Sequence, residues 1–313
     1  MRYRLLLLLS VVVACVSLSL TGVHLKFRYL TPAPPSRLPY SSTGYLGVYE
    51  RGVTPSYAPI ATFAQAIKKQ PNLIGYYSGW AEPFPSSFAQ KLHYHHMIPY
   101  VQIDPTYASV SGIAAGTYDA YLQTYADSVR DFGHAVVIGF GHEMNAPWYS
   151  WGYGHVPAAT FVAAWQHIVN LFRADGADNV TWLWTINRDT SGTGRLATWW
   201  PGRKYVNWVG IDGYYTSPND TFYTVFGHTI RQVRKVTKDP VLLSETAVGP
   251  SAVRSAKIFD LFRGLAKDKT LGLVWFDMQS DHGVINQDWR LEGNPPAEYA
   301  FRLGARYLNL VQP

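Results

Sequence analysis

The chain has 313 residues, enough for one large core or two ordinary domains, and 47% of them are hydrophobic while only 15% are charged. Its formal net charge of +6 comes from the N-terminus: residues 1–40 hold five basic residues and no acidic one, which leaves 22 basic against 21 acidic residues in the remainder. That balance excludes the basic surface of a nucleic-acid-binding protein, so we expect no nucleic-acid partner. The lone cysteine, Cys15, excludes disulfides and a thiol nucleophile from the rest of the chain.

Residues 1–30 predict an export signal or a membrane anchor. A basic N-terminus precedes an apolar run from Leu5 to about Val23, and Lys26 and Arg28 follow it. Such a run is close to the ~20 residues that span a bilayer, and no clean small-residue cleavage site follows, so a cleaved signal and an uncleaved anchor both stay open. Lipidation at Cys15 is a third alternative, disfavoured because the apolar run continues past it. We expect an extracytoplasmic protein, secreted or tethered to the membrane, and the lack of disulfides favours a bacterial source.

Residues 31–40 predict a Pro-rich linker, and residues 41–313 predict the folded domain. Four prolines between residues 31 and 39 disfavour a helix and favour a semi-rigid, extended spacer. Beyond it, eight strand-like apolar runs alternate with helix-length segments. The strands are predicted at residues 44–49, 73–77, 98–103, 135–140, 180–186, 206–211, 241–244 and 271–276, and the helices at 59–69, 84–95, 117–132, 157–174, 222–237 and 251–266.

This alternation of strands and helices predicts an α/β fold with a parallel sheet. Eight such units in about 270 residues match the size of a (β/α)8 or TIM barrel. The strands are continuous apolar runs, as expected for strands that are buried on both faces. An open doubly wound sheet is the alternative, but it normally has fewer strands, and no Gly-rich phosphate-binding turn follows the first run.

The stretch from Val136 to Gly152 carries the strongest indication of function. It places Glu143 directly after an apolar strand and among aromatic side chains. A buried carboxylate is costly, so Glu143 is expected at the open end of the strand, where a cleft can use it. A second glutamate, Glu245, ends the seventh strand. In a (β/α)8 barrel both face the C-terminal mouth, and glycoside hydrolysis needs such a carboxylate pair.

Two possible metal sites are disfavoured by the sequence. His142 and Glu143 begin a zinc-protease motif, but that motif needs a second histidine four residues after the first, where the chain has Ala146. Residues 93–96 hold three histidines, yet adjacent side chains point in different directions and no cysteine accompanies them. The end of a polar helix is favoured there, and we expect no metal site.

The segment His142–Asn145, together with the tryptophans that follow it, resembles the acid/base motif of glycoside hydrolase family 26. Glutamates after strands four and seven are the arrangement of clan A, to which that family belongs. The resemblance extends over residues 44–305 and implies a (β/α)8 glycoside hydrolase that needs no cofactor. It implies that Glu143 is the acid/base and Glu245 the nucleophile.

The resemblance also implies five substrate-binding residues. His142 would flank the acid/base, and Tyr214 would donate a hydrogen bond to the nucleophile. Trp148 and Trp151 would be aromatic platforms for sugar rings beside the acid/base. Trp275 would form the floor of the subsite that binds the sugar being cleaved. Packing in the core is the alternative for Tyr214 and Trp275.

Some positions leave the assignment open. Asp104, Asp212 and Asp277 end strands three, six and eight, and could bind sugar hydroxyls or orient their neighbours. Many family members have an arginine where this chain has Gly139, and a glycine where it has Ala146. The first departure concerns the electrostatic support of the two glutamates, and the second concerns the loop that leads to Trp148.

The resemblance implies a monomeric, retaining endo-β-glycanase that acts on a polysaccharide, with β-1,4-mannan as the family's commonest substrate. Mixed-linkage β-glucan and β-1,3-xylan are the alternatives within the family. A non-catalytic glycan-binding barrel is the alternative from a different class. The presence of both Glu143 and Glu245 argues against a binding module, which would be free to lose either one.

Overall fold

The computed structural model describes residues 38–280 and 287–312. The predicted signal or anchor at residues 1–30 and most of the predicted linker at residues 31–40 lie outside that part. Within it, no helix is both long and apolar enough to cross a membrane.

Eight parallel strands close into a barrel in chain order, which confirms the predicted fold class. Each strand pairs with its neighbours in sequence, and β1 closes the ring by pairing with β8. The strands are β1 (Tyr45–Glu50), β2 (Leu73–Gly79), β3 (Ile98–Asp104), β4 (Val136–Phe140), β5 (Val180–Asn187), β6 (Trp208–Asp212), β7 (Val241–Thr246) and β8 (Gly272–Asp277).

Helices cover the outside of the barrel, and a small hairpin follows β8. The hairpin strands are β9 (Gln279–Ser280) and β10 (Gln287–Asp288). The helices are α1 (Ala58–Ile67), α2 (Ser86–Tyr94), α3 (Val110–Ala114), α4 (Asp119–Phe132), α5 (Ala158–Ala174), α6 (Leu196–Trp199), α7 (His228–Val236), α8 (Arg254–Lys267) and α9 (Pro295–Gly304).

The core has two apolar layers because successive side chains of a strand point to opposite faces. Tyr45 and Tyr49 of β1 point into the barrel, where they pack with inward residues of the other strands. Leu46 and Val48 of the same strand point outward and join the layer between the sheet and the helices. Both layers are made of buried apolar side chains, and the carboxylates named above lie at or beyond the carboxyl ends of the strands.

Three features differ from the sequence prediction. The short α3 was not predicted, because five residues are too few to show a helical period. The segment 222–237 was predicted as one helix, but it begins with a π-helical turn at Tyr223–Gly227 before α7. Helix α9 was not predicted, because its start follows glycine and asparagine and contains two prolines, a composition typical of loops. Asn294 caps this helix by accepting a hydrogen bond from the Ala297 amide, at 3.2 Å.

Candidate active site

Glu143 reaches the mouth of the barrel through a sharp turn after β4. Gly141 and Glu143 both have positive φ angles, of 53° and 54°. For a glutamate this left-handed conformation costs about 1–3 kcal/mol, and strained residues of this kind cluster at active sites. Two interactions hold the turn: the Glu143 amide donates to the Thr185 carbonyl at 3.0 Å, and Met144 is fully buried.

Two side chains donate hydrogen bonds to the Glu143 carboxylate. Trp148 Nε1 lies 2.7 Å from Oε2, and Asn187 Nδ2 lies 2.7 Å from Oε1. Asn187 ends β5 and is fixed by Asn145, whose amide group donates to the Asn187 carbonyl and accepts from its backbone N–H, both at 2.9 Å. The Asn145 side chain therefore acts by holding a partner of Glu143.

The second carboxylate, Glu245, lies near the end of β7 and is 5% exposed. Tyr77 donates to its Oε1 at 2.5 Å, and Tyr214 donates to its Oε2 at 2.8 Å. Burial raises the pKa of Glu245 to about 7; the positive charge of His142 and the two tyrosine hydroxyls oppose this rise, whereas the charge of Glu143 adds to it. The influence of the Glu143 charge on Glu245 indicates that the two glutamates lie in one site.

His142 lies between an aspartate and a tyrosine. Its Nδ1 is 2.8 Å from Asp104 Oδ1, and its Nε2 is 3.0 Å from the Tyr149 hydroxyl. Burial by itself lowers the pKa of His142, but the Asp104 carboxylate beside it, with smaller contributions from Glu245 and Glu143, brings it to about 9. The imidazolium is therefore the dominant form at neutral pH. Asp104 orients His142, which is one of the two roles that the sequence left open for this aspartate.

A third carboxyl group, Asp212, lies beneath the two glutamates. It is fully buried, its Oδ1 accepts from Ser244 Oγ at 2.5 Å, and its Oδ2 has no hydrogen-bond partner in the described part of the chain. Burial and the charges of Glu245 and Glu143 raise its pKa well above the usual range of an aspartate. Both causes disfavour the charged form of Asp212.

The aromatic side chains predicted as sugar platforms divide into one exposed and two buried residues. Trp148 is 53% exposed beside Glu143. Trp151 is only 3% exposed, so the prediction that it is a platform is wrong. Its ring stacks on Tyr149 at 4.4 Å and its Nε1 donates to the His142 carbonyl, which makes it a support for Tyr149 and His142.

The prediction that Trp275 floors a sugar subsite is also wrong. Its side chain is fully buried and packs edge to face against Phe301 of α9 at 5.2 Å. The reason is the alternation along β8: Val274 points into the barrel, Trp275 points toward the helices, and Phe276 points back toward the mouth. Phe276, which contacts Tyr214 at 5.7 Å, is the aromatic residue of β8 on the inner side.

The presence of a glycine at residue 139 is explained by its neighbour on β3. Gln102 is paired with Gly139 in register, and a Cβ atom at residue 139 would lie 1.9 Å from Gln102 Oε1. The Gln102 amide fills this space and donates to Tyr100 and Thr185 at 2.6 and 2.9 Å. A neutral amide network thus occupies the place where many relatives have an arginine.

Ala146 is fully buried, and its amide closes the turn by donating to the Glu143 carbonyl at 2.9 Å.

Three site residues were missed by the sequence analysis: Tyr77, Asn187 and Tyr149. Tyr77 and Asn187 lie at the carboxyl ends of β2 and β5, the same location that identified the two glutamates. A search for polar residues at the ends of all eight strands would have found them. Tyr149 lies within the aromatic stretch after Glu143, where the sequence drew attention to the tryptophans on either side of it.

The histidines at 93–96 do not converge on one point. His93 is near the end of α2 and stacks on His134, with ring centroids 3.5 Å apart, while His95 stacks on Tyr57 at 4.2 Å. These two side chains therefore contribute to surface packing at the end of a helix.

A comparison with family models matches residues 66–264, more than half of the chain, to glycosyl hydrolase family 26. The chain belongs to this family. The family resemblance expected from the sequence is therefore confirmed.

Relatives of this family 26 chain include Endoglucanase H of Acetivibrio thermocellus, which is 27% identical over 268 residues, 80% of this chain and 29% of that protein. The β-1,3-xylanase TXYA of a Vibrio species is 26% identical over 188 residues, 57% of this chain and 39% of that protein. The chain thus spans less than two fifths of either relative. The solved structure of a GH26 β-mannanase from Bacteroides ovatus has a TM-score of 0.63 and 14% identity, covering 87% of this chain and 90% of that one.

Proposed function

We propose that the protein is a retaining endo-β-glycanase in which Glu245 is the nucleophile and Glu143 is the general acid and base. One observation carries the proposal: two carboxylates share the mouth of the barrel, and each is held by its own pair of donors. Tyr77 and Tyr214 donate to Glu245, while Trp148 and Asn187 donate to Glu143. A non-catalytic binding barrel would have no need to fix both carboxylates in this way.

In the first step, a Glu245 oxygen attacks the anomeric carbon while Glu143 transfers its proton to the glycosidic oxygen, so that the C1–O bond breaks as the glycosyl ester forms. In the second step, Glu143 removes a proton from water, whose oxygen attacks C1 and releases Glu245. His142, as an imidazolium, favours the ionised nucleophile that the first step needs. The cofactor-free chemistry expected from the sequence is sufficient for this cycle.

The proposed substrate is a β-linked polysaccharide, with β-1,4-mannan as the first candidate because the motif around Glu143 resembles that of a family whose commonest substrate is mannan. β-Glucan is the second candidate, since the similarity to Endoglucanase H extends over 80% of this chain. Mannose and glucose differ only at the C2 hydroxyl. Values of kcat/KM on manno-, gluco- and xylo-oligosaccharides of equal length would therefore identify the sugar.

Azide rescue of two variants tests the catalytic assignment. Glu245→Ala and Glu143→Ala should each lose activity by several orders of magnitude on the polysaccharide. With an activated aryl β-glycoside, azide should restore turnover in both variants. It should give the α-glycosyl azide from Glu245→Ala, where azide replaces the nucleophile, and the β-glycosyl azide from Glu143→Ala, where it attacks the glycosyl-enzyme. The reverse products, or normal hydrolysis by Glu245→Ala, would contradict the assignment.

We also propose that residues 1–30 direct the enzyme out of the cytoplasm and that an uncleaved anchor tethers a monomeric catalytic domain to the membrane. The support is the apolar run from Leu5 to about Val23 between basic residues. Full-length protein should then sediment with membranes and resist carbonate extraction. A soluble mature form that begins after residue 23 would show that the segment is a cleaved signal.

A further inference from the structure

Three acidic side chains converge at the rim of the barrel, apart from the two catalytic glutamates. Glu50 ends β1, Asp277 ends β8, and Glu292 lies in the loop before α9. Glu50 and Asp277 are direct partners in the β1–β8 register. One carboxylate oxygen from each of the three residues lies within 4.8 Å of the other two. The cluster therefore joins the first strand, the last strand and the loop that follows it.

Among the residues that the structure describes, none donates a hydrogen bond to the centre of this cluster. Asp277 is 1% exposed; its Oδ1 accepts from Trp275 Nε1 at 3.1 Å and from the Leu291 amide at 2.8 Å. Its other oxygen, Oδ2, is buried and has no hydrogen-bond partner within residues 38–280 and 287–312, and the same is true of Glu292 Oε1. Unpaired buried carboxylate oxygens are costly, and here they face other carboxylates. A group that supplies positive charge at this point would remove the cost.

Two neighbouring arginines are held by other partners. Arg290 binds Asp288 through Nε at 2.8 Å and through Nη2 at 2.7 Å. Arg254 donates to the backbone carbonyls of Val248, Trp289 and Arg290 at 2.9 to 3.0 Å. Both act on the cluster through their charge, Arg290 on all three carboxyl groups and Arg254 on Asp277.

We propose that Glu50, Asp277 and Glu292 bind a divalent cation of the calcium type. Oxygen atoms that ligate one Ca²⁺ at about 2.3–2.6 Å lie at most about 5 Å from one another, which the spacing of this cluster satisfies. An all-carboxylate set favours hard cations over zinc or copper, and three protein ligands suit Ca²⁺ better than Mg²⁺, which keeps most of its water. Glu50 and Glu292 are partly exposed, so the ion can enter from solvent and complete its coordination with water.

The bound cation would fix the segment between β10 and α9 to the first strand. That segment carries Trp289, which is 2% exposed and packs on Tyr214 with ring centroids 4.9 Å apart. Tyr214 in turn donates to Glu245. The cation is therefore expected to stabilise the domain and to hold Tyr214 in place, although it touches neither catalytic glutamate. The sequence analysis expected no metal site, because these three residues are far apart in the chain and follow no ligand motif.

Calcium binding can be measured independently of hydrolysis. Full-length protein in detergent is freed of metal with a chelator and titrated with CaCl₂ or MgCl₂ at pH 7, by calorimetry and by thermal unfolding. We expect saturable binding of one Ca²⁺ and a Tm increase of about 5 °C or more at a hundredfold excess over Kd. Glu245→Ala, inactive by design, should bind Ca²⁺ as the wild type does, which separates this proposal from the proposed function.

Three variants complete the test. Glu292→Gln should abolish the response to Ca²⁺, and the more conservative Glu292→Asp should weaken it. The control is Asp131→Asn, which changes an exposed acid on α4 and should leave the response intact. Shared protons are the competing explanation, since burial raises the pKa of Glu50 to about 8. Stability that falls as the pH rises through 8 to the same extent with and without Ca²⁺ would support shared protons and overturn the proposal. The proposal would equally be overturned by an unchanged Tm of the wild type, or by equal responses of wild type and Glu292→Gln.

Discussion

Removing the Tyr214 hydroxyl should change the pH dependence of catalysis in one direction. In wild type, the Glu245 carboxylate accepts one hydrogen bond from Tyr77 and one from Tyr214, and both favour its ionised form. A hydrogen bond to a charged group contributes about 1.5–3 kcal/mol, and 1.36 kcal/mol corresponds to one pH unit. Because Glu245 is almost fully buried, water can replace the lost donor only in part. We therefore expect Tyr214→Phe to raise the pKa of Glu245 by about one to two pH units.

The assay is the pH profile of kcat/KM, which reports groups of the free enzyme. Glu245 must be ionised to attack, so a higher pKa moves the acid limb of the profile to higher pH. Tyr77→Phe should produce a shift of similar size, since it removes the other donor. Tyr125→Phe is the matched control: Tyr125 is a buried tyrosine in the helical layer, packed against Phe84 at 5.7 Å, and its loss should move neither limb.

An acid limb that stays in place in both Tyr214→Phe and Tyr77→Phe would refute this reasoning. It would mean that the group titrating on that limb is not the carboxylate held by the two tyrosines. A shift confined to the basic limb would assign these donors to the acid/base residue instead.

Further predictions follow from the same contacts. Glu245→Gln should increase the free energy of unfolding above pH 7 by about 3 kcal/mol, because the pKa of the buried carboxyl is raised from 4.5 to about 7. Measured by urea unfolding, this increase should vanish near pH 4. His142→Gln removes the imidazolium that opposes this rise, so the acid limb of kcat/KM should move to higher pH; an unchanged limb would show that His142 is neutral. Trp148→Ala should raise KM more for long oligosaccharides than for the shortest substrate, whereas Trp148→Phe, which keeps a ring but loses the donor to Glu143, should mainly lower kcat. Equal effects of the two Trp148 variants on KM and kcat would contradict that division.

The barrel and its carboxylate pair could be predicted because both depend on local sequence. Continuous apolar runs identify buried parallel strands, and alternation with helices limits the possible topologies. In a (β/α)8 barrel every strand points its carboxyl end to the same mouth, so the position of Glu143 and Glu245 at strand ends was enough to bring them together. The strand count, rather than any long-range contact, carried that inference.

The surroundings of the glutamates depend on which face of a strand each side chain occupies. Trp275 was expected in the site, yet it points to the helices, because its neighbour Val274 points into the barrel and successive side chains of a strand alternate. Tyr77 reaches Glu245 from β2, a contact set by how the barrel closes. Trp151 could have been a platform or a support, and only its stacking on Tyr149 decides between them. Such contacts are tertiary, and single-sequence patterns do not contain them.

The central claim is that Glu245 forms a covalent bond to the sugar, and trapping this intermediate tests it most directly. In Glu143→Ala, an aryl glycoside with a good leaving group needs no acid to react, whereas release of the sugar needs the missing base. The glycosyl-enzyme should accumulate, with an increase in mass equal to one glycosyl group located within Val241–Thr246. No mass increase, or a sugar attached to any other residue, would contradict the proposed mechanism.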